Sequence, residues 1–172
     1  MWQQPEGTNA KIKIIKIDEK TLSELGQYNT WTREIPARLV EILSQDPENA
    51  PAVISFDILY INGMDKEGDE RFAEACRQAG NVITATNLVY QATTKQDANG
   101  DYYVDPLHIT MMEESYPALR EVTGDAFANT VQDEDGYIRQ AIAWANVGSE
   151  KIYSLAYATY AAYMEKMGED CY

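Results

Sequence analysis

Over its first ninety residues the chain alternates β-branched, apolar runs with segments of helical spacing, and this order constrains the fold more than any single motif. "KIKIIKI" (Lys11 to Ile17) interleaves lysine with isoleucine and ends at Asp18. Ile12, Ile14 and the pair Ile15 and Ile17 predict a strand. "TLSELGQY" follows, with Thr21 as N-cap of a short helix that Gly26 ends. "REIPARLVEILSQ" sets Ile35, Leu39, Ile42 and Leu43 at helical spacing, and Pro36 is tolerated in a first turn. After the loop "DPENAP", "AVISFDILYI" predicts a second, buried strand ending near Asp57. "DERFAEACRQAG" predicts a helix with Asp69 at its N-terminus, Phe72, Ala75, Cys76 and Ala79 on its inner face, and Gly80 as its stop. "NVITATNLVY" predicts a third strand. Strands joined by helices of this length run parallel with right-handed crossovers.

The second half changes character. "TTKQDANGDYYVDP" holds Asn99-Gly100, a two-residue hairpin signal. "EESYPALREV" predicts a brief helix, and "DAFANTV" and "YIRQAIAWANV" predict strands. "KIYSLAYATYAAYMEKM" predicts a closing helix with Ile152, Leu155, Ala156, Thr159, Tyr160, Tyr163 and Met167 on its inner stripe, flanked by Tyr153 and Tyr157. With no internal repeat and no low-complexity linker, the expectation is one domain over 1–172. Its fold class is α/β: a mixed sheet with a parallel βαβαβ first half and an antiparallel hairpin in the second half, flanked by helices.

Charge narrows the ligands. The 28 acids and 14 bases give a formal charge of -14, a field that repels nucleic acid phosphates and anionic lipid headgroups. Cys76 and Cys171 are far apart in sequence and form no C-x-x-C, so they report neither a zinc site nor a redox compartment. The single histidine, His108, sits in "DPLHITMM" without a patterned nucleophile beside it. No apolar run of membrane-spanning length and no signal peptide is visible. Gly-rich phosphate cradles are absent, and no cofactor motif is present.

"VQDEDGYIRQ" (Val131 to Gln140) concentrates acids and admits three readings: a calcium loop, a catalytic acid cluster or a tight turn between two strands. As a calcium loop with Gly136 at the central position, Asp133 and Asp135 become ligands, but Val131 and Ile142 stand where the first and the bidentate ligands belong. As a turn, Asp135-Gly136 is a type I′ signal between two strands, with Arg139 placed to pair with Asp133 or to reach inward. The turn reading is preferred. "IIKIDEKT" resembles the D-x-D-x-T opening of haloacid-dehalogenase phosphatases, but Lys20 replaces the second carboxylate, which removes a magnesium ligand and excludes that chemistry. No catalytic residue and no metal set is assigned. Asp18 and Asp57 at predicted strand ends, with Asn87 just past a third, lie at the edge where open α/β sheets bind ligands. The competing expectation is that Asp18 caps a helix and Asp57 satisfies loop amides.

The segments "IKIIKIDEKTLSELG", "TREIPARLVEIL", "PAVISFDILY", "DERFAEACRQAGNVITA", "GDAFANTVQDEDGYIRQ" and "YSLAYATYAAY" occur in an order that resembles the CHASE2 family. Within it, "WTR" (Trp31 to Arg33) matches a Trp-Ser/Pro-Arg element. Asp133, Asp135, Gly136 and Arg139 match D-x-D-G-x-x-R. The resemblance implies an extracytoplasmic sensor domain of a bacterial transmembrane receptor, at the outer face of the cell membrane. It further implies tethering through membrane helices to a cytoplasmic adenylate/guanylate cyclase, histidine kinase or serine/threonine kinase. Dimerisation is a natural way to couple such a module to its output. The stretch Asn87 to Tyr116 departs from the family pattern, and the resemblance supplies no ligand site.

Two functions follow as expectations. In the first, a sensor binds a small-molecule or environmental signal at Asp18, Asp57 and Asn87, with Arg139 as an anion or carboxylate anchor. In the second, a secreted α/β hydrolase uses Asp18 and Asp57 as a carboxylate or metal pair.

Overall fold

The structure, a computed structural model, describes residues 11–105, 108–133 and 135–170. The chain divides into two compact units, Met1–Trp31 and Thr32–Tyr172.

In the first unit, residues 12–18 form no strand. Ile12, Ile14, Ile15 and Ile17 are exposed, Ile14 by 79%. β-branched residues favour a pleated surface only where a neighbouring strand supplies hydrogen bonds and cross-strand contacts, and no strand among the described residues pairs with this run. The strand expected here is therefore not formed. Helix α1 (Glu19–Leu25) follows. Its N-cap is Asp18 rather than Thr21: Asp18 Oδ1 accepts both the Thr21 N–H and the Thr21 hydroxyl at 3.0 Å. Gly26, with φ of 85°, ends the helix as expected. A single 3-10 turn (Tyr28–Thr30) leads to Trp31, whose indole N–H donates to the Gly26 carbonyl at 2.9 Å.

The second unit is mixed α/β. Helix α2 (Glu34–Ser44), strand β1 (Ile54–Leu59), helix α3 (Lys66–Ala79) and strand β2 (Val82–Tyr90) build a parallel βαβ unit in which Ile54 pairs with Val82. Strand β6 (Gly124–Phe127) adds to β2, also parallel, with Gly124 opposite Ile83. Strand β5 (Ile109–Glu113) runs antiparallel to the far half of β2, with Asn87 opposite Glu113. The sheet is mixed, as the sequence predicts. Two hairpins stand apart from it: β3 (Thr93–Gln96) with β4 (Tyr102–Asp105), and β7 (Trp144–Val147) with β8 (Glu150–Tyr153).

The core lies on one face of the sheet. Phe56 of β1, Phe72, Ala75 and Cys76 of α3, Ala37 and Val40 of α2, and Leu119 of the short helix α4 (Pro117–Arg120) form one cluster. The inner face expected for α3 is found, with Ala79 packed against the cluster. The helix starts at Lys66, three residues earlier than expected, capped by Asp65, whose side chain accepts the Gly68 N–H at 2.7 Å. In α2 the buried centre is Ala37 and Val40, and Ile42 is exposed: the helix is rotated so that small residues meet α3.

Two sequence readings are corrected by hydrogen bonding. "DAFANTV" and "YIRQAIAWANV" do not pair across a hairpin. β6 uses its hydrogen-bonding edge on β2, and only Trp144–Val147 of the second segment forms a strand, against β8. The last helix, α5, runs Leu155–Met167, shorter than expected, because Ser154 caps it and Ile152 and Tyr153 belong to β8. α5 has no buried residue, and Ala156, Tyr160 and Met167 of the expected inner stripe are exposed.

Candidate functional site

The alternation of a strand places successive side chains on opposite faces. Ile54 and Phe56 enter the core, while Ser55 and Asp57 point to the other face. There α5 crosses the sheet, and the Ser55 and Thr159 hydroxyls lie 2.7 Å apart. Two residues along from Ser55, Asp57 lines an open cleft of about 310 Å³.

The cleft is assembled from distant segments. Phe127 ends β6, and Ala128, Asn129 and Thr130 follow it. Ile138, Gln140, Ala141 and Ile142 come from the stretch before β7, and Ser154, Leu155 and Ala156 open α5. A parallel bridge between Phe127 and Ser154 holds the start of α5 beside the end of β6.

Asn129 organises the back of this site, and sequence reasoning did not find it. Where β6 ends, its side chain replaces the missing strand. Asn129 Oδ1 accepts the Leu88 N–H at 2.6 Å, and its Nδ2 donates to the Leu88 carbonyl and to Asn87 Oδ1, both at 2.9 Å. Asn87 in turn donates to Glu113 Oε2 at 2.6 Å. A buried strand edge requires such partners. The only sequence signal is an asparagine directly after an apolar strand.

Asp57 thus stands in the wall of the cleft, and Asn87 lies behind it through Asn129. Arg139 is held in the adjoining turn, between the lining residues Ile138 and Gln140. Asp18 belongs to the first unit, where it caps α1. That cap, chiefly through the Thr21 N–H, holds its carboxyl below the usual range.

The turn itself closes through Asp133 N–H donating to the Tyr137 carbonyl at 2.8 Å and Gly136 N–H donating to the Asp133 carbonyl at 2.8 Å. Gly136 has φ of 81°, and no non-glycine residue among those described has positive φ, so the turn is not type I′. Arg139 donates to Asp133 Oδ2 at 2.7 Å and to both oxygens of Asp135 at 2.8 Å. This clamp lowers the Asp135 carboxyl, with help from the Tyr137 N–H. Calcium ligands expected of a loop are here consumed by one guanidinium.

Elsewhere, burial pushes the Cys76 thiol up to about 12, as befits a packing residue rather than a nucleophile. Cys171 lies outside the described residues. His108 contributes its backbone carbonyl to the Gln91 N–H at 2.8 Å. No group of three or more metal-ligating side chains occurs among the described residues.

Asp125 on β6, opposite Thr84 of β2, is the most perturbed carboxyl. Burial raises it to about 6, with the Glu114 carboxylate adding to the effect and Arg120 opposing it. Its Oδ1 is buried without a hydrogen-bond partner. The native state therefore binds this proton more tightly than the unfolded chain, where an aspartate titrates near about 3.9. The stabilisation is complete below that value and is lost as pH rises through about 6. Asp125→Asn should consequently gain on the parent protein between pH 4 and pH 7, by on the order of 2 kcal/mol. Urea unfolding of both proteins at the two pH values reads this; a pH-independent difference would refute it.

The fold and site define a small mixed α/β domain with an open cleft on one sheet face and no assembled catalytic group among the described residues. The CHASE2 domain model matches residues 1–170, and the chain belongs to the CHASE2 family. CHASE2 domains are extracytoplasmic sensory domains of signalling receptors and are not themselves catalytic. No curated protein and no solved structure matched the chain. No helix among the described residues is long and apolar enough to cross a membrane.

Proposed function

We propose that this chain is the ligand-sensing domain of a bacterial transmembrane receptor, acting at the outer face of the cell membrane. In this reading the cleft is the sensory site, and a homodimeric receptor passes the signal to a cytoplasmic cyclase or kinase. The observation that supports it most is that the cleft is walled by the sheet on one side and by the first turn of α5 on the other. A ligand there contacts both, so its affinity depends on where α5 lies, which is the physical requirement for shifting a conformational equilibrium. α5 has no buried residue, so displacing it disturbs little packing. The candidate anchors are Asp57 directly, and Asn87 and Arg139 through the residues they position.

The experiment is a thermal-shift screen of small metabolites and divalent ions, followed by amide hydrogen exchange. A ligand at a hundred times its dissociation constant adds about 2.7 kcal/mol. Bound ligand is expected to slow exchange in α5 more than in β1 or β2, and Ala156→Trp, which fills the cleft from an exposed helix position, is expected to abolish binding. Binding that ignores Ala156→Trp, or leaves α5 exchange unaltered, would reject this reading.

A further inference from the structure

We infer that the cleft accepts a small organic cation, an ammonium group carried on an apolar body, with Asp57 as its counter-ion. The inference rests on the cleft being the sensory site and adds the chemistry of its ligand.

Asp57 sits inside β1, where aspartate is intrinsically disfavoured, and its side chain makes no hydrogen bond or ion pair among the described residues. Other acids around it are engaged: Asp133 and Asp135 by Arg139, and Glu113 by Asn87. No lysine or arginine lines the cleft. Arg139, the nearest guanidinium in sequence to the lining, is already held by two carboxylates, so an anion finds no free cation there. The remaining polar groups are largely committed. The Asn129 amide serves Leu88 and Asn87, and the Ser154 hydroxyl caps α5. Thr130 and Gln140 remain as neutral hydrogen-bonding groups on the lining.

The walls decide between an organic and a metal cation. Ile138, Ile142 and Leu155 present apolar surface around a single carboxylate. Calcium needs six to eight oxygen ligands and magnesium an octahedral set, which one aspartate does not supply. An alkylammonium gains from both features: its chain leaves water against the apolar wall, and its charge meets Asp57 where that wall excludes part of the solvent. The chain's formal charge of -14 raises the local concentration of any cation.

The test uses three probes of one shape: isobutylammonium chloride, isobutanol and sodium isobutyrate, each at an ionic strength matched with sodium chloride. Calorimetric titration of the whole chain is expected to show isobutylammonium binding at least tenfold more tightly than isobutanol, with no binding of isobutyrate. Asp57→Asn is expected to bring the ammonium down to the level of the alcohol, and Asp57→Glu to keep part of the preference. The Asp57 side chain is exposed and has no partner among the described residues, so both variants should fold as the parent does, which circular dichroism checks. Equal binding of ammonium and alcohol, indifference to Asp57→Asn, or no binding of the ammonium at all overturns the assignment. So does saturable binding of calcium or magnesium chloride that Asp57→Asn removes. If a different ligand binds in a manner blocked by Ala156→Trp but not by Asp57→Asn, the cleft stands as the sensory site and only its cationic chemistry falls.

Discussion

Arg33→Met is expected to lower the unfolding free energy by about 3–5 kcal/mol, because it leaves Asp69 buried without its counter-charge. The two side chains are only 12% and 14% exposed, with Arg33 Nε 3.7 Å from Asp69 Oδ1. Neither of these two atoms has a hydrogen bond, so their Coulomb attraction is what offsets their removal from water. Both residues also hold the loop after β1. Arg33 donates to the Asn62 carbonyl at 3.2 Å, and Asp69 Oδ2 accepts the Met64 N–H at 2.9 Å. The guanidinium lies 4.5 Å from the centre of the Tyr60 ring. A Cβ on Gly63 would come within 2.7 Å of Asp69 Oδ2, which is why the loop can wrap this carboxylate so closely. Urea unfolding of Arg33→Met, Asp69→Asn and the double variant gives the coupling directly. The double variant should lose less than the two single losses combined. A single-variant loss below about 1 kcal/mol would instead place the pair among ordinary solvated contacts.

Phe72→Ala should cost a similar amount, about 3–5 kcal/mol, through a different mechanism. Phe72 is fully buried and meets Phe56 and Tyr60 edge to face, with centroids 5.6 and 5.0 Å away. Phe56 and Tyr60 also meet each other at 5.8 Å, so the three rings form a closed set at the junction of α3 and β1. Deleting one ring leaves a cavity that two rigid neighbours cannot refill. A chemical-denaturation loss under about 1.5 kcal/mol would mean that the core collapses around the gap.

The parts of this structure legible in the sequence are those decided by local pattern. The β1–α3–β2 unit announces itself through an apolar run, a helix whose inner residues recur at the right interval, and a glycine stop at Gly80, which adopts φ of 66°. The turns show where dipeptide reading fails. Asn99-Gly100 and Asp135-Gly136 both invite a type I′ assignment, yet each belongs to a D-x-x-G unit built in the same way. Asp97 and Asp133 each accept the N–H of the glycine three residues on, and each donates its own N–H to the next residue's carbonyl. Aspartate at the first position and glycine at the fourth is the signature of a type I turn, and among the described residues of these two turns only the glycines, Gly100 and Gly136, take positive φ. The two-residue hairpin is elsewhere, at Gly148-Ser149 between β7 and β8, where Gly148 has φ of 60°.

What was not legible depends on contacts between distant segments. The isoleucine run has the composition of a strand, but pairing is a property of two segments, and composition describes one. Asn129 matters because the backbone of Leu88, forty-one residues earlier, lacks a strand at that point. The cleft draws on residues from Asp57 to Ala156, so no window of sequence contains it. Asp57 could be singled out as a strand-end acid; that its neighbours are apolar and its charge unmatched could not.

The exposed run from Ile12 to Ile17 has a consequence for how this polypeptide behaves among its own copies. Unpaired, β-branched and apolar, it is a template on which another chain could extend a sheet. Lys11, Lys13 and Lys16 are interleaved with the isoleucines, so two such segments approaching each other bring like charges together. Among the described residues no strand pairs with the segment, so like-charge repulsion, weakened at Lys16 by its ion pair with Asp18, is the protection that the sequence supplies. That protection reaches only about 8 Å at physiological ionic strength and shortens as salt is added, so crowding and brine both act against it.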